Sequence, residues 1–260
     1  MSQVAAPPIV ELKDVDKRFG DGPLILDKMS FAAERGDFIT LIGPSGCGKS
    51  TILRLISGLI PVSEGRIVVD GTDPSGAVER LAFVFQEPTL LPWLNVSRNV
   101  EVPLRLHGGV DAAKRSEIVR QSLALVRLAD RADYYPRQLS GGQKMRVSIA
   151  RALSVSPRIL LLDEPFGALD EMTRNHLNEE LLAIRQQLAW TAFFVTHSVS
   201  EAVFMSNRIL VMSANPGRLH DELRVDLPYP RTEETRESEP YQKLVGEVSR
   251  ILRSVEELKS

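Results

Sequence analysis

Short apolar runs and helix-periodic stretches alternate along the chain. Ile9–Phe19 and Leu24–Ala33 read as strands separated by a turn at Gly20–Pro23, and Asp37–Ile42 reads as a third strand that ends at a glycine-rich loop. Lys49–Gly58 follows as a helix, and Gly65–Asp70 and Leu81–Phe85 as further strands. From Gln86 to about Ser156 the strand signals fade and helical periodicity dominates, in Ala112–Leu128 and Gln143–Leu153, which predicts an inserted helical lobe. Strand character returns at Arg158–Leu162, Ala192–Thr196 and Arg208–Met212, with a helical stretch, Arg174–Leu188, between the first two. That βαβ rhythm implies a parallel sheet. Beyond Pro228 comes a polar link and then Tyr241–Leu258, where Leu244, Val248, Ile251, Val255 and Leu258 fall on one helical face. There is no internal repeat and no low-complexity tract.

Composition narrows the class. At 260 residues and 28.9 kDa the chain can bury one substantial core with a lobe inserted in it. Lys and Arg number 32 against 34 Asp and Glu, for a net charge of -2 and a pI near 6.1, which argues against a basic face that coats nucleic acid. The single cysteine, Cys47, rules out an internal disulfide and fits a reducing compartment. The opening MSQVAAPPIVELKDV lacks the basic and apolar regions of a secretory signal, and no apolar run approaches the roughly 18 residues of a membrane span. Any role at a membrane is expected to run through a partner.

The first candidate chemistry is Gly43-Pro44-Ser45-Gly46-Cys47-Gly48-Lys49-Ser50-Thr51, which matches G-x-x-x-x-G-K-[ST] between an apolar strand and a helix. Glycines let the backbone bring N–H groups to phosphates, Lys49 adds a point charge, and the Ser50 hydroxyl suits Mg²⁺. Cys47, at the helix start, is expected to have a lowered pKa, so thiol reagents should block nucleotide binding.

A buried-strand pattern then delivers Asp163 and Glu164 to a strand C-terminus, where ligands sit in open α/β sheets. Because neighbouring strand residues point to opposite faces, the two carboxylates are assigned different roles: Asp163 to the Mg²⁺ shell and Glu164 to polarising the water that attacks the γ-phosphate. His197 and Gln86 close two other strands in the same way, and the Gln86 amide can reach Mg²⁺ or the attacking water. Leu139-Ser140-Gly141-Gly142-Gln143 precedes the helical run and offers a second anion-binding helix start.

With these residues placed, the chain resembles the ATP-binding subunits of ABC transporters from about Val10 to Arg231. GPSGCGKST looks like the Walker A loop, Gln86 the Q-loop, LSGGQ the signature, ILLLDE at Ile159–Glu164 the Walker B strand, Ala168-Leu169-Asp170 the D-loop and His197 the switch histidine. Phe19 falls where that family stacks an aromatic, usually tyrosine, on adenine. The resemblance implies a RecA-like P-loop NTPase fold, α/β with a mostly parallel core, an N-terminal antiparallel β subdomain and an inserted α-helical subdomain. The domain is placed at 9–231, with core segments 9–86 and 157–227, a helical subdomain at about 87–156, and a C-terminal extension at 232–260.

The resemblance also implies that ATP and Mg²⁺ bind between two head-to-tail copies of the chain, each ATP lying between one copy's Walker A loop and the other's signature. Asp170 is placed at that nucleotide interface. Two transmembrane permease subunits are expected to dock near Glu87–Leu94, an extracytoplasmic solute-binding protein belongs to the same system, and nucleic acid is no partner. The chain would then sit peripherally at the cytoplasmic face of the inner membrane. FQEPTLLPWL, PFGALDEMTR, VTHSVSEAVF and LPYPR resemble the nitrate, sulfonate and taurine importer group. The alternative is a soluble ABC ATPase acting on nucleic acid or ribosomes, but the long coiled-coil arms or tandem cassettes of such proteins are absent. A P-loop GTPase switch would need an NKxD-like guanine reader, which the sequence lacks. No residue names the cargo.

Overall fold

The computed structural model describes residues 6–257. In chain order the elements are β1 (Val10–Arg18), β2 (Leu24–Ala33), β3 (Phe38–Ile42), α1 (Lys49–Ile56), β4 (Glu64–Val69), β5 (Leu81–Val84), α2 (Val96–His107), α3 (Ala112–Leu125), α4 (Gly141–Leu153), β6 (Ile159–Asp163), α5 (Glu171–Leu188), β7 (Thr191–Val195), α6 (Val199–Met205), β8 (Arg208–Ser213), β9 (Arg218–Arg224), α7 (Glu233–Glu237) and α8 (Glu239–Glu257). They form two compact units, one joining the chain up to Val78 with the chain from Trp190 onward, the other Glu79–Ala189.

In the first unit β2, β1 and β4 form an antiparallel sheet, with an irregularity in β1 at Asp14, whose φ is +45°. β7, β3 and β8 are parallel neighbours in that order, and β9 adds an antiparallel edge to β8. Every residue of β3 (FITLI) and β7 (TAFFV) is buried, as expected of parallel strands covered on both faces. α6 packs on β3, and α8 packs on α6, β8 and β9, burying Tyr241, Val248 and Val255. Leu258, which the periodicity adds to that face, lies outside the described residues.

A polar knot fastens β3 to β8. Asp37 accepts from Arg208 Nη1 (2.7 Å), Asn207 Nδ2 (2.9 Å) and the Glu34 N–H (2.9 Å). Burial pushes its pKa up, but the Asn207 amide, the Glu34 N–H and the Arg208 guanidinium together hold it below the ordinary 3.8.

In the second unit β5 and β6 pair in parallel, and α2, α3 and α4 pack on one another. α2 is absent from the sequence expectation. It carries Pro103 inside and the weak helix formers Val96, Asn99, Val100 and Val102, yet Asn95 caps it by accepting from the Arg98 N–H, and Val96, Asn99, Val100 and Leu104 are buried. α3 stops at Leu125 rather than Leu128, and a short 3₁₀ turn follows at Ala129–Arg131.

Candidate nucleotide-binding site

The first unit holds the phosphate loop. β3 ends at Ile42 and α1 starts at Lys49, so Gly43–Gly48 span a strand-to-helix turn. Gly48 is the N-cap residue of α1 with φ +96°, and a Cβ there would lie 2.5 Å from Leu26 Cδ2; Gly43 approaches the backbone so closely that a Cβ would meet Met212 O at 2.5 Å. No side chain caps α1, which leaves its N-terminal end to an anion. Lys49, 7% exposed, folds back over the loop and donates from Nζ to Gly43 O (2.8 Å) and Pro44 O (3.1 Å). Its ammonium is thus already positioned on the loop. Ser45 and Gly46 are exposed at the tip, and Ser50 and Thr51 are half-buried in the first turn of α1.

Cys47 departs from expectation. It is fully buried, and burial raises its pKa against the opposing pull of Lys49, whose Nζ lies 3.8 Å from Sγ. Desolvation of a thiolate outweighs the helix start and the ammonium here.

Phe19 is 51% exposed, and the Lys17 ammonium lies 4.8 Å from its ring centroid, held there by donating to Pro61 O at 2.7 Å. His197 is exposed just past the end of β7, one residue before the N-cap of α6.

The second unit holds the other groups. Asp163, the last residue of β6, is 9% exposed. Glu164 lies just beyond the strand with φ +45°, in a left-handed turn at the end of β6. Gln86 is exposed after β5. Asp170 caps α5 by accepting from the Thr173 N–H at 3.0 Å, which draws its pKa down.

The LSGGQ stretch forms a reciprocal cap. Ser140 Oγ accepts from the Gln143 N–H at 3.3 Å, and Gln143 Oε1 accepts from the Ser140 N–H at 3.0 Å. The cap uses the Ser140 oxygen as acceptor, so its hydroxyl proton is not spent on it. Leu139 is buried beneath it.

After Gln86 the chain runs through an exposed apolar loop fastened at two places. Asn99, with no exposure, accepts from the Leu91 N–H (2.8 Å) and donates to the carbonyls of Leu91 (3.1 Å) and Leu94 (3.0 Å). Arg151 donates to Thr89 O and Pro88 O, both at 2.9 Å. Held between them, Trp93 stays 70% exposed, while Leu90, Leu91 and Leu94 are half-buried. Asn99 and Arg151 escaped the sequence reading because their partners lie elsewhere in the chain and carry no motif.

A glycine loop with its lysine between strand and helix, followed by carboxylates at the end of an apolar strand, defines a P-loop ATPase. The ABC transporter family matches residues 26–167. The aliphatic sulfonates import ATP-binding protein SsuB of Bacillus cereus (strain ATCC 10987 / NRS 248) is 46% identical over 220 residues, 85% of either chain. A Brucella abortus (strain 2308) protein named only for ATP binding is 46% identical over 229 residues, covering 88% of this chain and 87% of its own. Among solved structures, the dimeric ATP-binding cassette MJ0796 in a post-hydrolysis state with ADP and Pi aligns at TM-score 0.74 and 31% identity, covering 84% of this chain and 100% of that one. The chain belongs to the ABC transporter family: it has the P-loop NTPase fold, binds ATP and is an ABC-type ATPase that converts ATP and water to ADP and phosphate.

Proposed function

We propose that this chain is the ATP-hydrolysing subunit of an importer for a small solute of the sulfonate, taurine or nitrate kind, with two copies working head to tail beneath two separate permease subunits and an extracytoplasmic solute-binding protein delivering the cargo. Residues 9–231 form the cassette and 232–260 its extension. The observation that carries the reading is that one chain has two dressed anion-binding helix starts, the uncapped α1 and the Ser140-capped α4. A second copy gives each a phosphate. The relatives named for sulfonate import, the dimeric form of MJ0796 and the outward Trp93 support the rest. Among the described residues no helix is long and apolar enough to cross a membrane.

Residue roles follow from the chemistry. Lys49 and the amides of Gly43–Thr51 hold the β- and γ-phosphates, and the Phe19 ring stacks on adenine. Ser140 and the first amides of α4 complete the γ-phosphate shell of the other copy's ATP, with Gln143 keeping that start in shape and Asp170 at the same interface. Glu164 accepts a proton from the attacking water, and His197 hydrogen-bonds the γ-phosphate as charge develops.

The Ser50 hydroxyl, Gln86 amide and Asp163 carboxylate are hard oxygen donors of the kind Mg²⁺ takes alongside phosphate. Bound there, Mg²⁺ would supply positive charge against the phosphates. Loss of the γ-phosphate removes the anion both copies share, and the pair opens against the permease.

The test is to express tagged Glu164→Gln chain in its own host, solubilise membranes with Mg-ATP present and identify what co-purifies. A multi-span membrane protein in equal amount is expected. Recovery of the chain's own dimer alone, or of ribosomes or DNA, would show that the ATPase drives other work.

A further inference from the structure

The segment after β9 returns repeatedly to one element, the seven-residue α6 that starts just after His197. So short a helix cannot hold itself in water, and its position is set by what it packs against. β3 lies on one side and α8 along another.

At the C-terminal end of α6 the buried Arg231 guanidinium donates from Nη1 to the carbonyls of Val203 (3.1 Å), Phe204 (2.8 Å) and Ser206 (2.9 Å), and from Nη2 to Leu227 O (3.1 Å) in its own segment. A cation there answers the carbonyls that a helix end leaves open and complements the helix dipole. In the first turn of α6 the Ser200 carbonyl accepts from the Tyr241 hydroxyl of α8 at 3.0 Å, and the Arg236 guanidinium lies 3.5 Å from the Phe204 ring centroid. Both ends of α6 are therefore gripped from the C-terminal segment.

α6 in turn grips the residues flanking His197. Glu201, 4% exposed, accepts from Thr196 Oγ1 at 2.5 Å, and the same oxygen accepts from the Ser198 N–H at 3.0 Å. Thr196 and Ser198 bracket His197, so a shift of α6 moves the imidazole with it.

We infer that Leu227–Tyr241 is a positioning clasp for His197, with Arg231 and Tyr241 as the positioning residues that set α6 and through it the imidazole. The inference rests on the reading of His197 as the residue that meets the γ-phosphate. It gives the C-terminal extension a part in turnover without contact with nucleotide. A clasp of this kind alters the rate of the chemical step and leaves ATP affinity alone, because the groups that bind ground-state ATP lie elsewhere.

The test uses the full-length chain with the one-atom change Tyr241→Phe, measuring steady-state phosphate release and the imidazole ¹H–¹⁵N resonances of the four histidines. The expected result is a kcat lowered about three- to tenfold, KM for ATP within about twofold of wild type, and His197 resonances shifted while those of His107, His176 and His220 stay in place. Arg231→Lys should retain part of the kcat that Arg231→Met loses; should Arg231→Met fail to fold, Tyr241→Phe still decides. Unchanged kcat with unmoved His197 resonances overturns the clasp. So does a loss in which KM and all four histidines change together, the mark of general loosening. His197→Ala, measured alongside, separates the premise from the inference: full turnover in that variant sinks both, whereas loss of turnover there with full activity in Tyr241→Phe sinks the clasp alone.

Discussion

The proposed function gives Ser140 two jobs with one hydroxyl, and substitution can separate them. Its oxygen caps α4 by accepting from the Gln143 N–H, and its proton is assigned to a γ-phosphate. Ser140→Ala removes both. Loss of such a cap costs about 1 kcal/mol, which for a chain of this length lowers Tm by roughly 2–4 °C. Ser140→Asp keeps the acceptor and puts a negative charge at the helix start, worth about 0.3–1 kcal/mol, so this variant should melt at or above the wild-type temperature.

The second job fails in both variants. With aspartate, a carboxylate about 4 Å from the γ-phosphate opposes it by ~1 kcal/mol in water and ~4 kcal/mol at an effective dielectric near 20. That weakens ATP-driven pairing by roughly fivefold to a thousandfold. Differential scanning calorimetry reads the first effect, and light scattering of a Glu164→Gln background with Mg-ATP reads the second. If Ser140→Asp melted as low as Ser140→Ala, the cap would be misassigned. If it paired as strongly as the chain with Ser140, the phosphate role would be wrong.

Glu164→Gln should bind ATP normally yet lose at least about a hundredfold in turnover, which a phosphate-release assay against a fluorescent-nucleotide titration would establish. The raised pKa and burial of Cys47 predict that native protein resists alkylation near pH 7–8 and reacts faster as pH climbs, while denatured chain reacts at once; mass spectrometry over time checks this. Asp37 has a depressed folded pKa, so its contribution to stability is present above the ordinary 3.8 and fades as pH falls through the folded value. Asp37→Asn should therefore be less stable than wild type by about 1–3 kcal/mol at pH 7, with the gap closing below about pH 4 in urea melts; a gap independent of pH would contradict the ion pairing. Trp93→Ala should leave Tm and the ATPase of the isolated chain unchanged while reducing recovery of the membrane partner, since the ring is 70% exposed and touches no nucleotide group.

What the sequence made legible follows from how local each signal is. The continuous apolar runs of β3, β6 and β7 stood out because these strands are buried throughout. The phosphate loop was readable for the same reason: its nine residues carry their own geometry. β9 was missed because RLHDELR is an edge strand with most side chains in water, which erases alternation. α6 was missed because five of its seven residues are buried, leaving no polar face to mark a period. Arg231 was out of reach because its meaning lies in carbonyls more than twenty residues away in the chain.

The central claim is that two copies of this chain complete each other's nucleotide sites. Light scattering on the Glu164→Gln chain, with and without Mg-ATP, tests it directly. The account predicts a particle of one chain mass, 28.9 kDa, without nucleotide and of twice that mass with ATP, reverting when Ser140→Asp is added. A particle that stays at one chain mass with ATP demonstrably bound would contradict it.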